Sequence, residues 1–125
     1  MPESHFAHNI SGLKALLSKR VVVLDGAMGT SIQNFDLKAE DFGGPDYEGC
    51  NENLVLTRPD VIDDIHRAFL EAGADIIETN TFGATSVVLD EYNLSHLTHK
   101  INRTAAELAR KAADEFSTPE QPRFV

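Results

Sequence analysis

The 125-residue sequence predicts an α/β fold with a parallel sheet. Two short apolar runs, residues 21–24 (VVVL) and 74–77 (ADII), each end in a polar cluster, the first at Asp25-Gly26 and the second at Glu78-Thr79-Asn80-Thr81. Stretches of helical periodicity separate them, and a third apolar step begins at residues 122–125. Strand, helix, strand, helix, strand with right-handed crossovers makes a parallel sheet, whose carboxyl-terminal strand ends share one ligand-binding rim. A closed barrel takes roughly 250 residues. The expectation is therefore the N-terminal portion, about the first three strands, of a TIM (β/α)8 barrel, with residues 1–125 as part of one domain.

Taken in order, residues 1–4 precede any pattern and are expected to be loose. Ile10, Leu13, Leu16 and Leu17 recur at helical spacing, which predicts a short helix over 9–18. Residues 20–24 follow as a strand buried on both faces, since four consecutive apolar residues include three that are β-branched. Asp-Gly is also a favoured hairpin turn, but AMGTSIQ does not alternate as a return strand does. Gly26 and Gly29 lack the lysine of a phosphate-cradling loop. Residues 30–35 open another helical turn. Over 36–53 periodicity disappears among three glycines, a proline and many acids, which predicts a long surface loop over the barrel mouth.

The next helix is announced by Thr57-Arg58-Pro59-Asp60, a capping-box-like start with Thr57 as N-cap. Val61, Ile65, Ala68, Phe69 and Ala72 form its apolar stripe and Gly73 stops it. Residues 74–78 read as the second buried strand and 85–92 as a short helix. Ser95 caps a long helix with the stripe Leu97, Ile101, Ala105, Leu108, Ala112 and Phe116, which ends at 117–119.

Composition narrows the function. Twenty acidic residues against 11 basic give a formal net charge of −9, without the basic stripe a nucleic-acid partner requires. The single cysteine, Cys50, excludes an internal disulfide or a multi-cysteine cage. With no histidine or basic neighbour to favour its thiolate, it reads as a packed or loop thiol. The five histidines form no ligand set: His66 reads as a boundary residue, His96 and His99 as solvent-exposed. No leader-like N-terminus and no apolar run of about 20 residues is visible, so a cytoplasmic protein without a membrane partner is expected. At the rim, the Asp25 carboxylate suits an ammonium group, while hydroxyls and backbone N–H groups suit a carboxylate. A zwitterionic amino acid fits both.

Three segments together, VVVLDGAMGTSIQ, GCNENLVLTRPDVIDDIHRAFLEAGADIIETNTFGAT and INRTAAELARKAADE, closely resemble the N-terminal homocysteine-binding domain of cobalamin-dependent methionine synthases, over residues 16–125. The resemblance implies a TIM barrel that binds homocysteine and zinc at its C-terminal face. There, zinc held by three cysteines activates the substrate thiol, which takes a methyl group from methylcobalamin to give methionine. Methyltetrahydrofolate recharges the cobalamin, and both are bound by later cobalamin- and folate-binding domains of the same chain. Carried over by position, Asp25 contacts the homocysteine amino group, Gly26 lets the backbone approach the substrate, and Thr79 contacts the substrate. Asn80, Thr81 and Phe82 form the surrounding wall, and Glu78 orients the rim. Cys50 matches neither late glycine-cysteine motif, and no D-x-H-x-x-G motif is present. The zinc cysteines are accordingly expected beyond Val125, with no catalytic residue, metal or cofactor held within these 125 residues, which alone are expected to be inactive. Two alternatives remain: a betaine- or S-methylmethionine-type homocysteine S-methyltransferase, and a truncated, non-catalytic binding module.

Overall fold

A computed structural model describes residues 5–125, with side chains from Ile10 onward. Residues 1–4, expected to be loose, lie outside the described residues. Among the described residues six α-helices run in order: α1 His5–Leu17, α2 Met28–Gln33, α3 Leu54–Thr57, α4 Pro59–Glu71, α5 Ser86–Asp90 and α6 Thr98–Phe116.

The three segments expected as strands form no strand among the described residues; they meet only through single parallel bridges, Leu24 with Ile76 and Ile76 with Phe124. No longer ladder forms among the described residues. The central segment is held on both sides. Asp75 and Ile76 N–H groups donate to the Val23 carbonyl (2.8 and 3.1 Å), and Asp25 N–H donates to Ile76 O (3.0 Å). On the other side Phe124 N–H donates to Asp75 O (2.8 Å) and Ile77 N–H to Phe124 O (2.9 Å). Ile77 is fully buried, but the first segment is not buried on both faces as expected: Val21 is 81% exposed and Val23 52%. It lies at the edge of the three, bonded only to the 75–76 side. β-Branched composition reports strand tendency, not how many faces are covered.

Side chains hold this register. The buried Asp75 carboxylate accepts from both Arg20 guanidinium N–H groups (2.8 and 2.6 Å) and from Val23 N–H (2.9 Å). These donors, Arg20 foremost, hold its carboxyl below the ordinary aspartate range. The buried Arg123 side chain donates to the Leu70 and Ala74 carbonyls (2.6 and 2.9 Å), satisfying the C-terminal end of α4. That end is a Schellman turn: Gly73 sits at φ +107°, Gly73 N–H donates to Leu70 O and Ala74 N–H to Phe69 O.

Helices α4 and α6 pack against each other and supply about half of the buried core residues. The α4 stripe is rotated from the expected one. Val61, Ile62, Ile65, His66 and Leu70 are buried, whereas Ala68 and Ala72 are exposed. His66 is therefore not a boundary residue. It is fully buried, neither ring nitrogen has a protein partner, and burial pushes its pKa down. On α6 the buried side chains are Ile101, Ala105, Ala109, Ala112 and Ala113, with Leu108 and Phe116 only partly covered. Small alanines there let the helices approach closely, a reason to bury positions that hydrophobicity ranks low.

Two helix starts differ from expectation. Thr57 is not an N-cap but the last residue of α3, and Arg58 (φ −138°) breaks the path because Pro59 disfavours helical geometry in the residue before it. Ser95 opens a single 3-10 turn ahead of α6, its hydroxyl bonded to Asp90. Thr85, in contrast, caps α5 by accepting from Val88 N–H (3.2 Å). The expected surface loop over 36–53 is ordered into three 3-10 turns and anchored by buried Phe42, Cys50 and Asn53. Asn53 Nδ2 donates to Phe42 O (2.9 Å). Scattered anchors of this kind leave no period to read.

Replacing Asp75 tests the register. Asp75→Ala is expected to lower the unfolding free energy by about 1–3 kcal/mol, since it removes the buried acceptor shared by the Arg20 guanidinium and the Val23 N–H. Because its folded pKa is depressed, Asp75 stabilises fully above its unfolded value near 4, and that contribution fades as pH falls through the lower folded value. Urea unfolding across the acid range should show this slope in the unmutated chain and its loss in Asp75→Ala.

Candidate functional site

The bridge between Leu24 and Ile76 brings the two polar strand ends together. Asp25, Gly26, Met28, Glu78, Thr79, Asn80, Thr81 and Phe82 line one small cleft of about 60 Å³. All seven residues singled out from sequence are in it; Met28, at the start of α2, was not anticipated.

Asp25 is half-buried, and its Oδ1 accepts from the Glu78 N–H at 2.9 Å. Burial pushes its pKa up; the Glu78 N–H opposes the shift and the negative Glu78 side chain adds to it. No cation contributes. The rim thus gathers negative charge that a ligand's ammonium group would relieve.

Thr79 and Thr81 hydroxyls pair with each other at 2.7 Å, and each keeps further hydrogen-bonding capacity. Asn80 is buried and donates its Nδ2 to the Asn51 carbonyl (2.8 Å), so it braces the rim from behind. Phe82 projects fully into solvent beside the cleft. Glu78 is exposed at the lip. At Gly26 a Cβ would meet nothing within 4 Å, so nothing in the chain's own packing demands glycine. The next residue, Ala27, holds a left-handed conformation (φ 53°) as the chain turns into α2, a conformation costly for a residue with a Cβ.

Sequence reasoning missed the residues that support this rim from the 36–53 segment. Glu52 Oε1 accepts from Gly83 N–H at 2.9 Å, and Asn51 holds Asn80. The only signal was the polar run GCNEN standing where no period exists. Cys50 lies beneath it, 1% exposed, with its thiol pKa raised by burial. Among the described residues no three His, Cys, Asp or Glu side chains converge to hold a metal ion. They do not fit a zinc centre. The described residues also contain no helix long and apolar enough to cross a membrane.

The family model for homocysteine S-methyltransferases matches residues 22–125. The chain is 47% identical over 109 residues to the methionine synthase of Mycobacterium leprae, covering 87% of this chain and 9% of that protein. It is 47% identical over 110 residues to the methionine synthase of Mycobacterium tuberculosis, covering 88% and 9%. The chain thus spans about a tenth of the length of these relatives. Its structure is similar to the Escherichia coli homocysteine methyltransferase MmuM in its oxidised form (TM-score 0.71, 25% identity, 89% of this chain and 37% of that one). The metallated form of the same enzyme matches equally well, with TM-score 0.71 and 25% identity over 90% and 38% of the two chains.

Asn80→Ala tests the brace. It leaves the Asn51 carbonyl without its donor, and a loss of about 1–2 kcal/mol in unfolding free energy is expected. Amide exchange should quicken at residues 79–83 more than in α4 or α6.

Proposed function

This chain belongs to the homocysteine S-methyltransferase family, and on that premise we propose that its rim is the part of a homocysteine site that grips the amino-acid end of the substrate. The observation that carries the reading is the Asp25 carboxylate, half-buried beside Glu78 with no cation acting on it. It takes the substrate's ammonium group. The Thr79 and Thr81 hydroxyls and nearby backbone N–H groups take the carboxylate, and Gly26 leaves the backbone open for approach. Asn80 and Phe82 wall the site. Charge-assisted bonds to the ammonium and carboxylate groups of that one end orient the substrate so that its thiol points away from the rim.

The same reading extends to the whole protein. We propose methyl transfer from methylcobalamin, itself recharged by methyltetrahydrofolate, to homocysteine, giving methionine, in a cytoplasmic enzyme with zinc activating the thiol. Identity of 47% to two methionine synthases supports this reading over a betaine- or S-methylmethionine-type enzyme. The described residues do not fit a zinc centre, so their part is confined to binding and orienting the substrate. The parallel bridges at Leu24, Ile76 and Phe124, and the likeness to MmuM, support reading residues 20–125 as the first steps of a (β/α)8 barrel, completed in the whole protein.

Calorimetric titration with L-homocysteine, and with the analogue lacking its amino group, tests the assignment of Asp25. The unmutated protein should prefer L-homocysteine, and Asp25→Asn should weaken that ligand by about tenfold or more while sparing the analogue. Because burial raises the Asp25 pKa, affinity should fall on acidification earlier than for an ordinary aspartate, and the asparagine variant should lack that limb. Equal binding of both ligands by the unmutated protein would count against the reading.

A further inference from the structure

We propose that Glu52 is a positioning residue for substrate, one that reaches across from the 36–53 segment and sets the height of the 79–84 turn; this rests on the homocysteine reading above. The turn itself is tight, with Thr81 N–H donating to Thr79 O and Ala84 N–H to Thr81 O. The N–H of the buried Gly83 is taken by Glu52 Oε1 at 2.9 Å. One residue earlier in the segment, the Asn51 carbonyl takes the Asn80 side chain at 2.8 Å. Two adjacent residues thus grip two points of the turn that carries Thr79 and Thr81.

The grip has a firm base. Glu52 belongs to a 3-10 turn, Asn51–Asn53, that leads into α3. Asn53, Leu54 and Val55 are buried immediately after it, and Cys50 immediately before. The Cys50 sulfur lies 4.0 Å from Glu52 Oε2, and burial holds the group as a thiol, able to donate. Both carboxylate oxygens therefore meet neutral donors, in place of the arginine or lysine partner that Asp75, Asp41 and Asp63 each have.

The contact also explains why glycine stands at 83. A Cβ there would come within 2.9 Å of Glu52 Oε1 and 3.3 Å of Val88 Cγ1. Gly83→Ala consequently drives the Glu52 carboxylate off the turn without touching the cleft. Two independent substitutions, on opposite sides of one hydrogen bond, should then produce the same defect.

The experiment is a cycle of Glu52→Ala, Gly83→Ala and the double variant, with Glu52→Gln as the conservative control. L-homocysteine affinity is measured by calorimetry, and amide exchange at Gly83 by NMR, in the protein as encoded. Each single alanine variant should weaken L-homocysteine about tenfold and speed Gly83 exchange. The double variant should be no worse than the poorer single one, and Glu52→Gln, whose amide oxygen still accepts from Gly83, should bind within about twofold of the unmutated protein. If the unmutated protein binds L-homocysteine and the alanine variants bind it equally, the inference is overturned and the homocysteine reading survives. Additive losses in the double variant, or a failure of Glu52→Gln to rescue, also overturn it. If the unmutated protein binds no L-homocysteine, the functional reading fails first and takes this one with it.

Discussion

The buried Asp75 carboxylate sets the register on which everything else depends. By accepting from Arg20 and from Val23 N–H, it locks residues 20–25 alongside 74–77 so that Leu24 faces Ile76. A slip of one residue would turn every side chain of the segment to the other face and carry Asp25 away from Glu78. As it stands, Asp25 Oδ1 meets the Glu78 N–H at the opposite end of the same pairing. One carboxylate holds the segments at their base and the other is displayed at their rim. Their environments differ accordingly: arginine holds the Asp75 pKa down, while burial beside Glu78 pushes the Asp25 pKa up.

The rim is braced from two directions. The bridged segments fix its start at Glu78, and the 51–53 turn holds its middle and far side through Asn80 and Gly83. Preorganisation of this kind matters most for a ligand recognised by charge, since donors and acceptors already in place need no reordering on binding. It also accounts for the ordered state of a segment so poor in periodicity. Phe42, Cys50 and Asn53 bury the 36–53 chain where it must stand to reach the rim.

What the sequence made legible follows a physical division. The long helices, the order of the segments that pair through the bridges and the juxtaposition of Asp25 with Glu78–Phe82 were readable because each rests on local period or on the rule that parallel segment ends share one rim. Strands themselves, which need a longer ladder, did not form among the described residues. Burial was less readable. Val21 and Val23 carry strand-forming side chains yet stand exposed, since coverage is decided by what packs on a segment and not by its own residues. The α4 stripe shifted towards Ile62, His66 and Leu70 because the helix is covered on more than one side, and the α6 core shifted onto alanines because its partner comes close. Thr57 failed as a cap because Pro59 acts on Arg58 first. The contacts of Glu52 and Asn51 with the rim span about thirty residues, and no local pattern encodes such a pairing.

The most direct measurement is amide chemical-shift mapping of the nitrogen-15-labelled protein as L-homocysteine is added. The account predicts that the largest shifts fall on Gly26, Glu78, Thr79 and Thr81, with the Glu78 amide moving because its acceptor, Asp25, gains an ammonium partner. Shifts confined instead to the groove between α6 and Val125, lined by Arg103, Arg110 and Asp114, with the Glu78 amide unmoved, would contradict it.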